Sequence, residues 1–534
     1  MRWKNYSYDL TQNGAVITGY FSDGAETSIC IPSYLEGHPV TEIGKEAFSE
    51  EGALLEQIEV PATVKKIGNG AFKMCMCLTE LILHNGLEEI EVDALCLTPI
   101  DHLYLPDSLR RIACPWDLGG IHFEISENNP HFFSDGIGLY GCDGQKSSGE
   151  KELLVVSQTE SPAEYHVFPG TGVIGESAAA GHPYLKKIFL PGSVRKIRKA
   201  AFEGCEDLEE IVLPEGLETI EANAFSQCIR LESLHLPSTL TEIGTYGISD
   251  TFSWSDTLNG PKEITVQKGN PVFQDDGASL YRKASGEGRE IVRYFGTGRR
   301  YQIPEDVVRI LPGAFRRSML FRLDIPASVR GVEENAFREC RNLHEIWLEE
   351  SQTLLYIPGQ PVYRKDEVME LFGSRDSQSR NPGREKEKNI LPDKWKSFVR
   401  DPIYSRDSHE KENPYERYIF DYRGYDGLFH TYLDLPDQYG MAICRLKYPV
   451  LLDEEVGEKY SGFIRDHLQE ILDSIAAAKD REHLADLAEL GFFTSENIET
   501  CMEAFDRPGC AGLMSYLLDY KQENLKHTEF DFSL

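Results

Sequence analysis

The chain has 534 residues, too many for one ordinary core, so we expect about two to four domains or one elongated repeat array. Its 88 acidic and 55 basic residues give a formal net charge of -33 at pH 7, a field that excludes nucleic acids and anionic membrane surfaces as general partners. Its 12 cysteines are too few for a disulfide scaffold, and no apolar run is long enough to span a bilayer.

The two ends of the chain support predictions about the protein's cellular location and about what covers the first coil. The first residues, MRWKNYSYDLTQNG, lack the apolar segment of a signal peptide, and the last ones, KHTEFDFSL, carry no anchor. We therefore expect a cytoplasmic location, with display at the cell surface by an unconventional route as the alternative. Within residues 1–30, the alternation in AVITGYF predicts an N-terminal β cap that covers the open end of the fold beginning near residue 31.

A repeat with a period of about 22–23 residues runs from Ile31 to about Leu348. Each unit passes from an aliphatic residue and a proline through Ile-Gly and Ala-Phe-x-x-Cys to Leu-x-x-Ile-x-Leu. The register is marked by Pro61, Pro191, Pro214, Pro237 and Pro326. One unit has too few apolar side chains to offset the entropy of ordering itself, so neighbouring units must share a core. The pattern predicts a solenoid over residues 31–360.

These units resemble the leucine-rich repeats of the BspA-like family, which also occur in treponemal surface proteins. The resemblance covers roughly residues 30–350 and rests on the Ile/Leu-Pro, Ile-Gly, Ala-Phe-x-x-Cys and Leu-x-x-Ile-x-Leu elements in register. It implies a bacterial, β-rich curved solenoid that binds protein or glycan ligands. It implies no catalytic activity.

The cysteines of the repeat are the first candidates for chemistry. Each of four follows a phenylalanine by three residues: Cys75, Cys205, Cys228 and Cys340 follow Phe72, Phe202, Phe225 and Phe337. Four copies in one register favour a buried ladder of small side chains over metal or redox chemistry, with the phenylalanines stacked in the core. Cys75 and Cys77 form a Cys-x-Cys pair, but no second pair lies at a zinc-binding spacing, so we predict no metal site.

Two related stretches break the period. Residues 129–140 and 270–281 align without gaps at an offset of 141, and each holds Asp-Gly between extended segments. We interpret them as β-hairpin insertions at about 121–166 and 262–300, with Asp135 and Asp276 as turn formers rather than catalytic acids. One Gly-x-Gly-x-x-Gly string, at 136–141, lies inside the first hairpin. The other, at 170–175, has Arg195 where dinucleotide binding needs an acidic residue, so we predict no cofactor.

Side chains alternate between the two faces of a strand, so the repeat register predicts which of them face away from the shared core. The residues after the buried centre of each Leu-x-x-Ile-x-Leu strand are Glu59, Ile82, Tyr104, Phe189, Val212, His235, Asp324 and Trp347. The residues before it are Gln57, Glu80, His102, Lys187, Glu210, Ser233, Arg322 and Glu345. The first set is unusually apolar for a solvated ladder, and we predict that it binds a partner. Two alternatives stay open: the C-terminal residues fold back over Trp347, or these are scattered exposed apolar side chains.

The composition changes after the repeat. Residues 373–416 are charged and poor in apolar side chains, which predicts a flexible linker with a short docking segment at Trp395 and Phe398. Residues 417–534 follow a helical period, with one helix across EEVGEKYSGFIRDHLQEILDSIAAAK. We expect a separate small all-α domain there, weakly similar to ankyrin-type helix pairs. The cysteines Cys444, Cys501 and Cys510 fall on its apolar faces.

Together these features predict a β-rich leucine-rich-repeat solenoid with a non-enzymatic role as a protein-interaction scaffold. Its exposed strands would bind a protein or peptide, and the acidic surroundings favour a basic partner. A glycan ligand is also compatible with the resemblance. The alternatives are a secreted or cell-surface adhesion factor and, from another class, an enzyme hidden in the helical domain. We predict no nucleic acid, membrane, metal or cofactor partner.

Overall fold

Short strands and tight turns alternate along most of the chain. The computed structural model describes residues 1–21, 26–49, 54–113, 116–142, 150–159, 163–248, 263–333, 335–357, 420–429 and 435–525. The chain divides into two units, Met1–Leu280 and Tyr281–Leu534. The expected linker at 373–416, with Trp395 and Phe398, lies outside the described residues. Within the described ranges, no helix is both long and apolar enough to cross a membrane.

Each coil contributes one strand at the position of the Leu-x-x-Ile-x-Leu segment, and we call these the front strands. In the first unit they are Ser28–Cys30, Gln57–Glu59, Glu80–Ile82, His102–Leu105, His122–Ile125, Glu164–His166, Lys187–Phe189, Glu210–Val212, Ser233–Leu236 and Glu263–Val266. In the second they are Arg300–Gln302, Arg322–Ile325 and Glu345–Leu348. They form several small sheets, and neighbours within each sheet pair in parallel, as in the register Ile188↔Ile211, with those central residues buried. The predicted leucine-rich-repeat solenoid, of about 13 turns, is confirmed.

A second strand in each coil, the back strand, ends at the isoleucine or valine of the Ile-Gly element. The back strands of the first unit are His38–Ile43, Lys66–Ile67, Glu89–Ile90, Arg111–Ile112, Thr171–Ile174, Lys196–Ile197, Thr219–Ile220 and Glu242–Ile243. Those of the second unit are Val307–Ile310 and Gly331–Val332. Neighbouring back strands are also parallel, so the interior lies between the two kinds of sheet. A short 3₁₀ helix, Trp116–Gly120, joins two coils of the first unit.

An antiparallel meander precedes the first coil. Arg2–Trp3 pairs with Tyr6–Thr11, which pairs with Gly14–Tyr20. The last of these strands then pairs in parallel with His38–Ile43, which also carries the short antiparallel strand Tyr34–Leu35. The alternation in AVITGYF thus forms the strand that adjoins the first coil.

Aromatic rings stack in the interior of each unit. In the first unit, Phe202 and Phe225 have ring centroids 5.4 Å apart and planes 10° apart. In the second unit, the centroids of Phe315 and Phe337 are 5.7 Å apart. All four side chains are buried, which confirms the predicted phenylalanine column. Successive coils contact one another through these rings, so each coil depends on its neighbour.

The cysteines beside this column are buried and hydrogen-bonded. The thiol of Cys205 donates to the carbonyl of Ala179 at 2.9 Å, and that of Cys228 donates to the carbonyl of Phe202 at 3.2 Å. The other two register cysteines behave alike: Cys75 donates to Phe48 and Cys340 donates to Phe315. Burial raises the pKa of the Cys205 thiol to about 12, so it stays protonated and unreactive. The structural interpretation of these cysteines is confirmed.

Each irregular stretch contains short strands and an aspartate turn. In the first, Phe132–Ser134, Gly138–Cys142 and Lys151–Val156 form a meander. The Asp135 carboxylate accepts hydrogen bonds from the N–H groups of Ile137 and Gly138 at 3.0 and 2.7 Å. In the second, the strands are Phe273–Asp275, Ser279–Lys283 and Arg289–Tyr294. Asp276 makes the same two bonds, to the N–H groups of Ala278 and Ser279, so both aspartates are turn formers as predicted.

The ranges 121–166 and 262–300 also contain front strands. His122–Ile125 pairs in parallel with His102–Leu105, Glu164–His166 pairs with Lys187–Phe189, and Glu263–Val266 pairs with Ser233–Leu236. The coil pattern therefore continues on both sides of the first meander, at residues 122–125 and 164–166.

A buried asparagine fixes the entry to the first meander. The Asn129 amide donates to the carbonyls of Pro106 and Leu109 and accepts from the N–H groups of His131 and Phe132. Asn270, at the equivalent position, makes the same four bonds, to Pro237, Leu240, Val272 and Phe273. All the polar atoms of each amide are engaged, so the Asn-Pro sequence is a structural clamp.

Seven helices occupy the C-terminal described residues and form the all-α part of the fold. They are α1 (Tyr422–Leu428), α2 (Leu435–Lys447), α3 (Glu454–Asp466), α4 (Leu468–Ala478), α5 (Arg481–Glu489), α6 (Ile498–Glu503) and α7 (Ala511–Asn524). Asp421 and Asp480 cap α1 and α5 by accepting from the N–H groups of Gly424 and His483. The single helix expected across residues 454–479 is wrong, because the chain leaves helical geometry at His467, between α3 and α4.

The helices pack against the last strands of their own unit. Thr353–Tyr356 pairs antiparallel with the front strand Glu345–Leu348, packs against α2 and is contacted by Tyr425 of α1. The Tyr425 hydroxyl donates to the carbonyl of Tyr356 at 2.6 Å, and the Tyr356 hydroxyl donates to Asp437 at 3.1 Å. A Cβ on Gly440 would lie 2.7 Å from the Tyr356 ring, so α2 approaches this strand as closely as glycine permits. The all-α part is thus joined to the final coil by direct contacts.

Candidate functional site

The front strands carry two rows of side chains directed away from the core. We call the predicted set Glu59, Ile82, Tyr104, Phe189, Val212, His235, Asp324 and Trp347 the downstream row, because each follows a buried central residue. Parallel register places Glu59 beside Ile82, and Phe189 beside Val212. Alternation holds along these strands, since the central residues Ile58, Leu81, Leu103, Ile188, Ile211 and Leu234 are all buried.

The downstream row is longer than the sequence indicated. In register, Cys30 lies beside Glu59, and His166 lies beside Phe189. Tyr104 lies beside Glu124, and His235 lies beside Thr265. These additional members sit on strands that lack the full Leu-x-x-Ile-x-Leu pattern. The only local signal for them was the short alternation in segments such as HFEI and EYHV.

Two apolar members of the row are clearly exposed. Tyr104 and Val212 are 42% and 52% exposed, and His235 is also exposed. Ile82 and Phe189 are half-buried. The Phe189 ring stacks on the ring of His166, with centroids 4.3 Å apart and planes 11° apart. A stacked aromatic pair on a rigid strand is pre-positioned for contact, since few rotamers remain to be ordered.

The front strands of the first unit are strongly acidic. Their outward positions hold six glutamates, Glu59, Glu80, Glu124, Glu164, Glu210 and Glu263, against one lysine, Lys187. The Lys187 ammonium lies 3.0 Å from Glu210 and 4.0 Å from Glu164, and the hydrogen bond to Glu210 raises the pKa of Lys187. A hydrogen bond from His84 at 2.8 Å lowers the pKa of Glu59. The net field at these strands is therefore negative at neutral pH.

The second unit presents a different arrangement. Trp347 is half-buried, and its ring meets the Tyr448 ring edge-on at 5.6 Å. Burial raises the pKa of Glu345 on the same strand. Arg322 and Asp324 pair with each other at 2.8 Å. Of the two alternatives left by the sequence, a C-terminal contact over Trp347 is therefore present in the structure.

Two observations bear on chemistry. Among the described residues, no group of three or more His, Cys, Asp or Glu side chains is placed to hold a metal ion. The helical part contains a cavity of about 450 Å³, lined by Leu446, Ser461, Arg465, Leu468, Leu490, Gly491, Phe492, Thr494 and Asn497. Its Thr494 and Asn497 hydrogen-bond to each other, and Asn497 also bonds to the Phe492 carbonyl, so they serve the turn before α6.

Comparison with known proteins identifies the repeat. The family described as "BspA type Leucine rich repeat region" matches in six copies over residues 26–114, 166–274 and 298–360. A comparison with curated proteins finds no match. Among solved structures, the chain is similar to a leucine rich cell surface protein from Faecalibacterium prausnitzii A2-165, at 18% identity over 65% of this chain and 94% of that one, with a TM-score of 0.30.

Two further solved structures are similar. The pneumococcal vaccine antigen PcpA is 18% identical over 65% of this chain and 94% of its own, with a TM-score of 0.38. The leucine rich repeat protein TpLRR of T. pallidum is 21% identical over 50% of this chain and 85% of its own, with a TM-score of 0.21. At these values the likenesses say nothing about function. The matched copies, together with the paired front and back strands, identify the repeats at residues 26–114, 166–274 and 298–360 as BspA-type leucine-rich repeats.

Proposed function

We propose that the chain is a non-enzymatic interaction scaffold that binds a protein or peptide on the front strands of residues 28–266. The observation that carries the proposal is the downstream row of the first unit, where Tyr104 and Val212 are exposed beside a line of glutamates. Aromatic and aliphatic side chains supply contact area, and the rigid strands spare a partner the cost of ordering them.

The charge of the surface specifies the chemistry of the partner. Six outward glutamates against one lysine repel acidic partners and attract basic ones. Such a field mainly raises the association rate and the discrimination between partners, and salt screens it. A segment that combines lysine or arginine with an aromatic or aliphatic anchor therefore fits this surface best. Trp347 contributes less, because it already contacts Tyr448.

Selection of displayed peptides on the immobilised full chain tests the proposal. We expect enriched peptides to carry net positive charge and to bind more weakly as salt rises. The variant Tyr104→Ala/Phe189→Ala/Val212→Ala should lose about tenfold or more in affinity with little change in melting temperature. The matched control is Tyr184→Ala, because Tyr184 is 62% exposed but lies outside the strands. Equal binding by the triple variant and the native chain would reject this surface.

A surface adhesion role is the second candidate, favoured by the family resemblance. It uses the same strands and differs only in where the protein acts. Fractionation of the source cell, followed by protease treatment of intact cells, separates the two roles. Digestion of the repeat on intact cells would favour adhesion, whereas protection until lysis would favour an internal scaffold.

A further inference from the structure

Four repeats share a tight turn that begins at the register cysteine and ends at a leucine three residues later. In each, the N–H of a buried leucine donates to the carbonyl of the register cysteine, as from Leu78 to Cys75 at 3.0 Å. The equivalent bonds are Leu208 to Cys205, Leu231 to Cys228 and Leu343 to Cys340. The cysteine and the leucine are both anchored in the core, so the two residues between them stand at the tip of a β-turn. A third outward residue immediately precedes the cysteine.

We call these three outward positions the turn tip. In three of the four repeats the tip is mainly polar: Gly204, Glu206 and Asp207; Gln227, Ile229 and Arg230; Glu339, Arg341 and Asn342. In the fourth it consists of Met74, Met76 and Cys77. The chain holds only 8 methionines and 12 cysteines in 534 residues, so three sulfur side chains on one tip are not an effect of composition.

Packing does not account for these sulfur atoms. Met74 and Met76 are 50% and 61% exposed, and Cys77 is exposed. The backbone conformation of Met74, at φ +62°, is shared by the equivalent Gly204, Gln227 and Glu339, so backbone geometry does not select methionine at this position. Cys75 takes no part, because its thiol is buried and donates to the carbonyl of Phe48. The tip therefore presents two thioethers and one thiol to solvent where the other repeats present mainly polar groups.

We propose that Met74, Met76 and Cys77 bind a soft monovalent metal ion, Cu(I). Thioether and thiolate sulfur are the ligands that select Cu(I) over harder ions. The three side chains stand within four residues on one turn, and methionine is long and unbranched, so the sulfur atoms can converge without moving the core. Binding forms a thiolate–copper bond and releases the Cys77 proton to solvent. A tetrahedral zinc site needs a further ligand that the tip does not offer.

An apolar docking patch is the rival explanation. Leu54 and Leu97 are 57% and 50% exposed, and the Met74 N–H donates to the carbonyl of Cys96, next to Leu97, in the following coil. Methionine also serves adaptable protein surfaces. Replacing the methionines with leucine distinguishes the two explanations. Leucine keeps the apolar area, so a docking patch would persist, but it removes the sulfur atoms that a copper site needs.

Competition for Cu(I) between the full chain and bathocuproine disulfonate, under anaerobic conditions, tests the site. We expect the native chain to take up copper with an ultraviolet thiolate-to-copper absorption band. Met74→Leu/Met76→Leu and Cys77→Ser should each lose about 100-fold in affinity. The control Met319→Leu removes another exposed methionine, outside the turn tip, and should bind copper as the native chain does.

The metal-free variants must have the same melting temperature as the native chain. A loss of copper binding then cannot be attributed to a loss of folded protein. Cys77→Ser keeps the size of the side chain and serves if the double leucine variant is unstable. Undiminished copper binding by Cys77→Ser would overturn the proposal, and so would a native chain that cannot compete with the chelator. Neither result bears on the peptide surface, which lies on the front strands.

Discussion

Asp426 and Arg445 form a buried, doubly hydrogen-bonded ion pair between α1 and α2. Arg445 Nε lies 2.7 Å from Asp426 Oδ1, and Nη2 lies 2.9 Å from Oδ2. The Arg445 side chain is fully buried, and two further N–H groups donate to the carbonyls of Tyr448 and Val450. The Tyr460 hydroxyl on α3 also donates to Asp426, so three helices meet at one carboxylate.

Removing one partner should destabilise the helical part strongly. Asp426→Ala leaves a guanidinium buried without its carboxylate, and we expect a loss of about 3–5 kcal/mol in unfolding free energy. This loss is measured by denaturant unfolding, monitored by the circular dichroism signal of the helices. Lys459→Ala is the control, because it breaks only an exposed, solvent-screened pair with Glu455 and should change stability little. Similar losses in both variants would contradict the role assigned to the buried pair.

The phenylalanine column should respond in the same way. Phe202→Ala removes a fully buried ring that stacks on Phe225, and we expect a loss of about 3–5 kcal/mol from lost burial and the cavity left behind. Val212→Ala, on the exposed row, should change stability by about 0.5 kcal/mol or less. Denaturant titration of both variants checks the difference. A small effect at Phe202 would mean that coils do not share their interior.

His483 should make stability depend on pH. Burial alone would lower the pKa of His483, but the hydrogen bond and charge of Asp480, with Asp486 and Glu345 nearby, outweigh it and raise that pKa. The protonated ring therefore stabilises the fold below the unfolded pKa of about 6.5, and this contribution is lost as pH rises through the raised folded pKa.

His483→Gln removes that titration. Unfolding free energies measured from mildly acidic to mildly alkaline pH should fall for the native chain and fall less for the variant. His102→Gln is the control, because His102 is exposed on a front strand. Parallel curves for the native chain and His483→Gln would refute the assignment.

Thiol labelling should distinguish the two kinds of cysteine in the repeat. Cys205, with a pKa raised to about 12 by burial, holds almost no thiolate at neutral pH, whereas Cys77 is exposed. We expect native Cys205 to react with iodoacetamide at least about 100-fold more slowly than Cys77, as mass spectrometry of peptides would measure. Equal rates would show that the core opens readily.

The asparagine clamp yields a further test. Asn129→Ala leaves two carbonyls and two N–H groups of the meander entry without the amide that they bond, and we expect a cost of about 1–3 kcal/mol. Asn128→Ala changes the exposed neighbour and should be nearly neutral. Chemical denaturation compares them, and a neutral Asn129→Ala would show that water can replace the amide.

The repeat was predictable because its physics is local and periodic. Phe202, Cys205 and the strand centre Ile211 recur at fixed spacing, and each recurrence reports the same buried position. The front strands His122–Ile125 and Glu164–His166 are not predictable from the repeat pattern, because backbone pairing holds them in register without the leucines. Pairing of main-chain groups leaves little trace in side-chain identity.

The contacts of the helical part could not be read from periodicity. A helical stripe shows that one face is buried but not which element covers it, so the contact of Trp347 with Tyr448 was only one of two alternatives. The break at His467 is also invisible in the stripe, since α3 and α4 keep their apolar residues in phase. There His467 Nδ1 lies 3.0 Å from the Phe463 carbonyl, beside the geometry that ends α3.

The final strand, Thr353–Tyr356, runs antiparallel to the front strand before it. A further coil would need a parallel neighbour at this edge, but Thr353–Tyr356 already occupies it and α2 lies against Thr353–Tyr356. Gene duplication can therefore lengthen this array only by inserting coils upstream of the terminal pair. The 141-residue offset between the two asparagine clamps is the mark such an internal duplication would leave.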